Sequence, residues 1–223
     1  MLMSGESPSQ TKERSQLKKQ KIRRSLAFLT AFVLWTAAVC VIDVRPIGPN
    51  GSVVGLAALN GFAHRLIGVH MALYTLTDWL SLIPLAIVAG FGLLGLGQWI
   101  RRKSIRKVDP DILILGGFYA VVMAVFALFE VLVINYRPVL IDGVLEASYP
   151  SSTTMLVMCV MPTAVMQLRR PMNSRILCAA MTFFAVFMVA ARLISGVHWL
   201  TDIVGGGLLS AALVTLYDAL VTE

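Results

Sequence analysis

The chain has 223 residues, 57% of them hydrophobic and 14% charged, and a mean hydropathy of +0.79. This excludes an ordinary soluble domain and a disordered chain, and points to a membrane. The net charge of +7 raises nucleic acid as a partner. A membrane protein places Lys and Arg for another purpose, so their positions matter more than their sum.

Residues 1–24 are polar and become basic toward the membrane, as expected of a disordered tail that meets anionic lipid. Residues 25–223 read as one membrane domain. Apolar runs cover 25–43, 71–99, 111–135, 152–168, 174–192 and 198–220. Crossing about 30 Å of hydrocarbon takes about 20 helical residues. The expected fold is therefore all-α and polytopic, with six transmembrane helices. The first run is long for a signal peptide and has no small-x-small cleavage site, so it counts as a span.

Between the first two runs, Pro46, Gly48, Pro49 and Gly51 predict a turn. Ser52 is placed to cap a short helix carrying Val53, Val54, Leu56, Leu59, Phe62 and Leu66. That helix is too short to span. It suits the interface of the outer leaflet, as an anchor or as a rim where lipid enters a site. His64 and His70 read as interfacial histidines, and Trp79 and Trp199 as aromatic-belt residues. Cys40, Cys159 and Cys178 lie in apolar runs and read as small buried hydrophobes, with no metal or disulfide spacing.

Fifteen of the nineteen basic residues lie in the tail, in the loop after the second run (Arg101 to Lys107) and in the loop after the fourth (Arg169, Arg170, Arg175). With six spans, all three segments fall on one side. The positive-inside rule makes that side cytoplasmic, with both termini, in the inner membrane. Nucleic acid is not needed to explain the charge.

The polar features that run against this bias converge on the outer side: Arg137-Pro138, Pro150 to Thr154, Arg192, and His198 with Asp202. His198 and Asp202 are four residues apart, one turn on a helix face. A carboxylate there can take one imidazole N–H and leave the other nitrogen bare and nucleophilic. Arg137 and Arg192 suit a multiply charged anion, because a guanidinium offers forked donors. Ser151 and Ser152 open a helix, where backbone amides can complete an anion cradle. Asp78 is a polar contact or a wall of the site.

These residues resemble the type 2 phosphatidic acid phosphatases, six-helix membrane enzymes related to vanadium haloperoxidases. The family signature is Lys, six residues, Arg-Pro; then Pro-Ser-Gly-His; then Ser-Arg, five residues, His, three residues, Asp. This chain keeps Arg137-Pro138, Pro150-Ser151, and the full spacing Arg192, His198, Asp202, with Ala191 for Ser. The resemblance implies that His198 forms a phosphohistidine, that Asp202 orients it, and that Arg137, Arg192 and Ser151 bind phosphoryl oxygens. It implies a membrane lipid substrate and neither metal nor cofactor. Nothing in the sequence specifies an oligomeric state.

Besides Ala191 and the smaller change of Ser152 for Gly, two positions depart from the signature. Glu130 stands where the family has Lys, and Thr153 where it has the His that protonates the leaving group. Loss of a general acid costs about 10²–10⁴ in rate. Three readings follow. The substrate is a lipid diphosphate, such as a polyprenyl diphosphate, whose leaving phosphate is a weak base for which Thr153 suffices. Or Glu130, on nearly the same helical face as Arg137 and buried in the bilayer region, supplies the proton. Or the chain binds or transports headgroups with a degraded centre, or passes the phosphoryl group to an acceptor other than water.

Overall fold

The computed structural model describes residues 8–172 and 174–222. The described residues form eight α-helices: α1 (Pro8–Val41), α2 (Ala57–Ile67), α3 (Met71–Leu80), α4 (Leu82–Arg102), α5 (Pro110–Val131), α6 (Ser152–Met172), α7 (Arg175–Ile194) and α8 (Leu200–Leu220). Extended pairing among them is limited to isolated bridges.

Among the described residues, five segments are long and apolar enough to cross a membrane: α1, α3 with α4, α5, α7 and α8. The 21-residue α6 is absent from that set because it carries Ser152, Thr153, Thr154, Thr163 and Gln167. Its position explains their presence. It packs against both α7 and α8, and Val157, Cys159, Val160, Met161 and Ala164 along it are buried. A helix walled in by others can carry polar groups that lipid would reject. The Thr163 hydroxyl, for example, bonds Cys159 O at 2.7 Å and faces Tyr119 Oη at 3.1 Å.

The expected disordered tail is corrected over residues 8–24, which continue α1; residues 1–7 lie outside the described residues. After Pro8 the segment holds good helix formers (Leu, Lys, Gln, Glu, Arg) with no Gly or Pro, and extending an existing helix avoids the cost of nucleation. The 34 residues of α1 span about 50 Å, well beyond a bilayer core. Lys21 ties this extension to the end of α8, at 2.9 Å from Asp218 and 2.8 Å from Thr222.

The run 71–99 is not one straight helix. Pro84 has no N–H to give Leu80, and its ring crowds that carbonyl, so the helix breaks at Ser81. The Ser81 hydroxyl bonds Thr77 O at 2.7 Å across the break. The separate α3 can then aim Tyr74, Thr77 and Asp78 inward.

The interfacial segment also begins differently from the expected cap. Ser52 closes a short 3-10 turn, and α2 starts at Ala57. Its first amides are met by Asp43, whose carbonyl accepts from Ala57 N at 2.9 Å and whose carboxylate accepts from Ala58 N at 2.6 Å. Leu59, Phe62 and Leu66 are exposed on α2 and Asn60 is fully buried. Cys159 is buried as expected, whereas Cys40 is exposed on α1, where a hydrocarbon surround suits a thiol as well as a core does.

The bundle has two distinct ends. Lys21 with Asp218, and Gln167 with Tyr217 at 2.5 Å, mark one; Trp35 with Thr201 at 3.1 Å and Ser151 with Asp202 at 3.1 Å mark the other. The basic loops lie at the first end. The residues with chemistry lie at the second.

Candidate functional site

Residues 132–149 connect α5 to α6 as a small hairpin. Ile141 and Val144 pair across Asp142 and Gly143, whose φ values of 49° and 80° are those of an Asp-Gly type I′ turn. Farther down, Tyr136 pairs with Ala147, and Arg137 N bonds Glu146 O at 3.0 Å. The hairpin therefore fixes Arg137, and α5 has already ended at Val131. The expectation that Glu130 and Arg137 share a helix face is corrected on that ground. The acidic partner of Arg137 is Glu146, with Oε2 3.1 Å from Nε.

Arg192 ends α7 and is 2% exposed. Its Nη1 donates to Thr77 Oγ1 at 3.1 Å, and its Cζ lies 4.7 Å from the Tyr74 ring centroid. The Arg137 Cζ lies 6.0 Å from the same ring. One aromatic ring thus serves two guanidiniums, which offsets part of their burial. Both arginines line a cavity of about 280 Å³ with Tyr74, Asp78, Ser152 and Thr153.

Beside it is a narrow crevice lined by Glu130, Ser148, Ser152 and His198. Ser152 lines both spaces and so stands between them. Glu130 is exposed, contrary to the burial expected of it, because it sits at the last turn of α5 on the open side of the crevice.

His198 lies in the turn before α8, and Trp199 is the residue that begins that helix. The shared helix face expected for His198 and Asp202 is therefore replaced by a contact across the helix start. Nδ1 of His198 is 3.7 Å from Oδ2 of Asp202. The Asp202 carboxylate accepts from Trp199 N at 2.9 Å, Asn135 Nδ2 at 3.3 Å, Thr201 Oγ1 at 3.4 Å and, in a short contact, Ser148 Oγ. Burial lowers the His198 pKa from its ordinary value, the charges of Arg137 and Arg192 act in the same direction, and Asp202 opposes them. Lowering favours the neutral imidazole, the form with a nucleophilic lone pair.

Ser151 and Ser152 separate in role. Ser151 is fully buried; its amide donates to Asp202 O at 3.1 Å, and its hydroxyl accepts from Thr154 N at 3.4 Å. It caps α6 and lines neither the cavity nor the crevice, unlike the place in the cradle expected of it. Ser152 and Thr153 occupy the first turn of α6, where amides have no intrahelical acceptor, and both line the cavity. Glycines let these parts meet. A Cβ on Gly205 would fall 2.7 Å from the Tyr149 ring, and one on Gly196 would fall 1.9 Å from Gly68 O.

Trp199 is buried and donates its indole N–H to Tyr136 O at 2.7 Å, so it holds the hairpin and is not a belt residue. Trp79 is exposed. The His64 ring lies tilted against Trp199, 5.4 Å between centroids, and His70 faces Ile67 O at 3.0 Å; neither lines the cavity or the crevice. Sequence reasoning missed Tyr74, Thr77, Asn60, Asn135 and Ser148. The Asp-Gly dipeptide between short apolar stretches was a usable signal for the hairpin that brings Asn135 to Asp202 and Ser148 to His198.

Residues 131–222 match the family model described as the PAP2 superfamily. Among solved structures, the chain is similar to the first transmembrane PAP2 type phosphatidylglycerolphosphate phosphatase from Bacillus subtilis, with a TM-score of 0.55 and 18% identity over 88% of this chain and 95% of that one. No curated protein matches the sequence. The family match contains Arg137, Thr153, Arg192, His198 and Asp202, and begins one residue after Glu130.

Proposed function

From the match of residues 131–222 to the PAP2 superfamily model, we propose that this chain belongs to that superfamily and removes a phosphate from a membrane lipid phosphate, with a lipid diphosphate of the polyprenyl type favoured. One observation carries the reading. Arg137 Nη1, Arg192 Nε and His198 Nε2 are buried polar atoms without a hydrogen-bond partner. Burying such groups costs about 1–3 kcal/mol each, more when charged. A phosphoryl group seated beside Ser152, where the arginine cavity meets the crevice, offers acceptors to both guanidiniums and an electrophilic phosphorus to the imidazole.

His198 Nε2 forms the P–N bond as the bond from phosphorus to the leaving oxygen breaks. Arg137, Arg192 and the first amides of α6 bear the charge that develops on the phosphoryl oxygens. Water then adds to phosphorus, the P–N bond breaks, inorganic phosphate departs and Nε2 recovers its lone pair. Thr153 is on the arginine side of Ser152 and Glu130 on the histidine side. In-line attack places the leaving group away from His198, hence nearer Thr153. A hydroxyl is a poor acid for an alkoxide and adequate for a departing phosphate, which favours the diphosphate over proton donation by Glu130.

The reading includes six spans, with α6 as the enclosed one, and α2 as an interfacial helix that meets lipid through Leu59, Phe62 and Leu66. Both termini and the basic loops are cytoplasmic, in the inner membrane, and the site faces outward. Phosphate release from a panel of lipid mono- and diphosphates tests the substrate. Diphosphate turnover that exceeds monophosphate turnover supports it. Comparable turnover of a simple monophosphate removes the substrate preference, and no release from any lipid leaves a headgroup-binding relative.

A further inference from the structure

The link between His198 and Asp202 is indirect. Their closest atoms, Nδ1 and Oδ2, are 3.7 Å apart, beyond a hydrogen bond. The Ser148 hydroxyl sits between them, 3.1 Å from Nδ1 and in short contact with Oδ2. A count of protons fixes the direction of both bonds. A hydroxyl has one hydrogen to give, and a carboxylate only accepts. The hydrogen of Ser148 therefore goes to Asp202, whose Oδ2 already takes Trp199 N–H. What remains on Ser148 Oγ is a lone pair, so His198 must present N–H at Nδ1. Its Nε2 then carries the lone pair, and Nε2 is the buried atom without a partner.

We propose that Ser148 is a positioning residue that selects the nucleophilic tautomer of His198 by relaying it to Asp202. This rests on the reading of His198 as the phosphoryl acceptor. The serine is well held for the task. It is 3% exposed, its amide donates to Asn135 O at 2.9 Å, and Asn135 in turn bonds Asp202 and Gly55 N. As His198 takes up the phosphoryl group its ring becomes cationic, and the chain Nδ1–H to Ser148 to Asp202 offers that charge a stabilising path without moving a proton.

Histidine-¹⁵N spectra of the purified full chain in detergent micelles test this without reference to turnover. The sequence has three histidines, so His198→Ala assigns the signal. The expected wild-type pattern is protonated Nδ1 and bare Nε2; Ser148→Ala mixes the tautomers and Ser148→Thr restores them. In activity, Ser148→Ala lowers kcat by about 10–100-fold, the scale on which an imidazole's orienting partners act, with KM changed less than about 2-fold, and Ser148→Thr recovers most of the loss. Ser148→Cys serves where the alanine variant fails to fold. A Ser148→Ala protein with the wild-type tautomer and kcat overturns the proposal while leaving His198 in its role. Wild-type turnover by His198→Ala instead removes His198 as the phosphoryl acceptor, and the spectra still decide whether Ser148 sets its tautomer.

Discussion

Arg102 and Arg192 each stand in the last turn of an apolar helix, α4 and α7, at opposite ends of the bundle. Arg102 pairs with Asp109 at 2.7 Å, and both side chains are at least two-fifths exposed. The Asp109 carboxyl is held below its ordinary range by hydrogen bonds from Arg102 and Gln98, yet water and salt compete with such a pair and its worth is small. Arg192 is 2% exposed, held by Thr77 and Tyr74, with Nε unpartnered. The same residue type reads as a topology signal at one end and, in the proposed function, as an anion receptor at the other. Burial and an unfilled donor make the difference, and charge alone does not.

The comparison is broken first at the site end. His198→Ala abolishes phosphate release, a loss of about 10⁴-fold or more for a removed nucleophile, measured with the favoured lipid diphosphate. Arg192→Ala lowers kcat by about 10²–10³-fold, and Arg192→Lys fails to restore it, because an ammonium cannot reach both Thr77 and the phosphoryl group. The substrate preference comes next. The double change Glu130→Lys, Thr153→His raises lipid monophosphate turnover by about 10²-fold, while Glu130→Gln alone stays within about 10-fold of wild type. Abolished turnover in Glu130→Gln with phosphate binding intact makes Glu130 the acid instead.

Two smaller effects sharpen the contrast. His198 must be neutral to attack, and its folded-state pKa is lowered, so activity persists as pH falls through the ordinary histidine value and fails only near the lowered one. A pH profile of kcat/KM whose acid limb lies below about 6.5 supports this. At the other end, Arg102→Gln changes turnover by less than about 2-fold.

Much of the arrangement was legible in the sequence where it depends on local pattern. The apolar runs located the long helices because length and hydropathy are local properties. The spacing from Arg192 to Asp202 brought three site residues together because one turn between two helices holds them. The rest is set by contacts across the chain. Ser148 meets His198 across 50 residues, Asn60 meets Thr201 across 141, and Arg192 meets Thr77 across 115. No period in the sequence encodes such pairings. Ser151 misled for a related reason: as the first polar residue of "PSSTT" it looked like the cradle, whereas the helix start uses it as the cap and leaves Ser152 and Thr153 facing the cavity.

The most direct test of the central claim is a rapid quench of the purified protein with a lipid diphosphate labelled in its terminal phosphate. The account predicts an acid-labile, alkali-stable phosphoprotein labelled at His198, absent from His198→Ala and chased by water. Phosphate release without any label on His198 would contradict it.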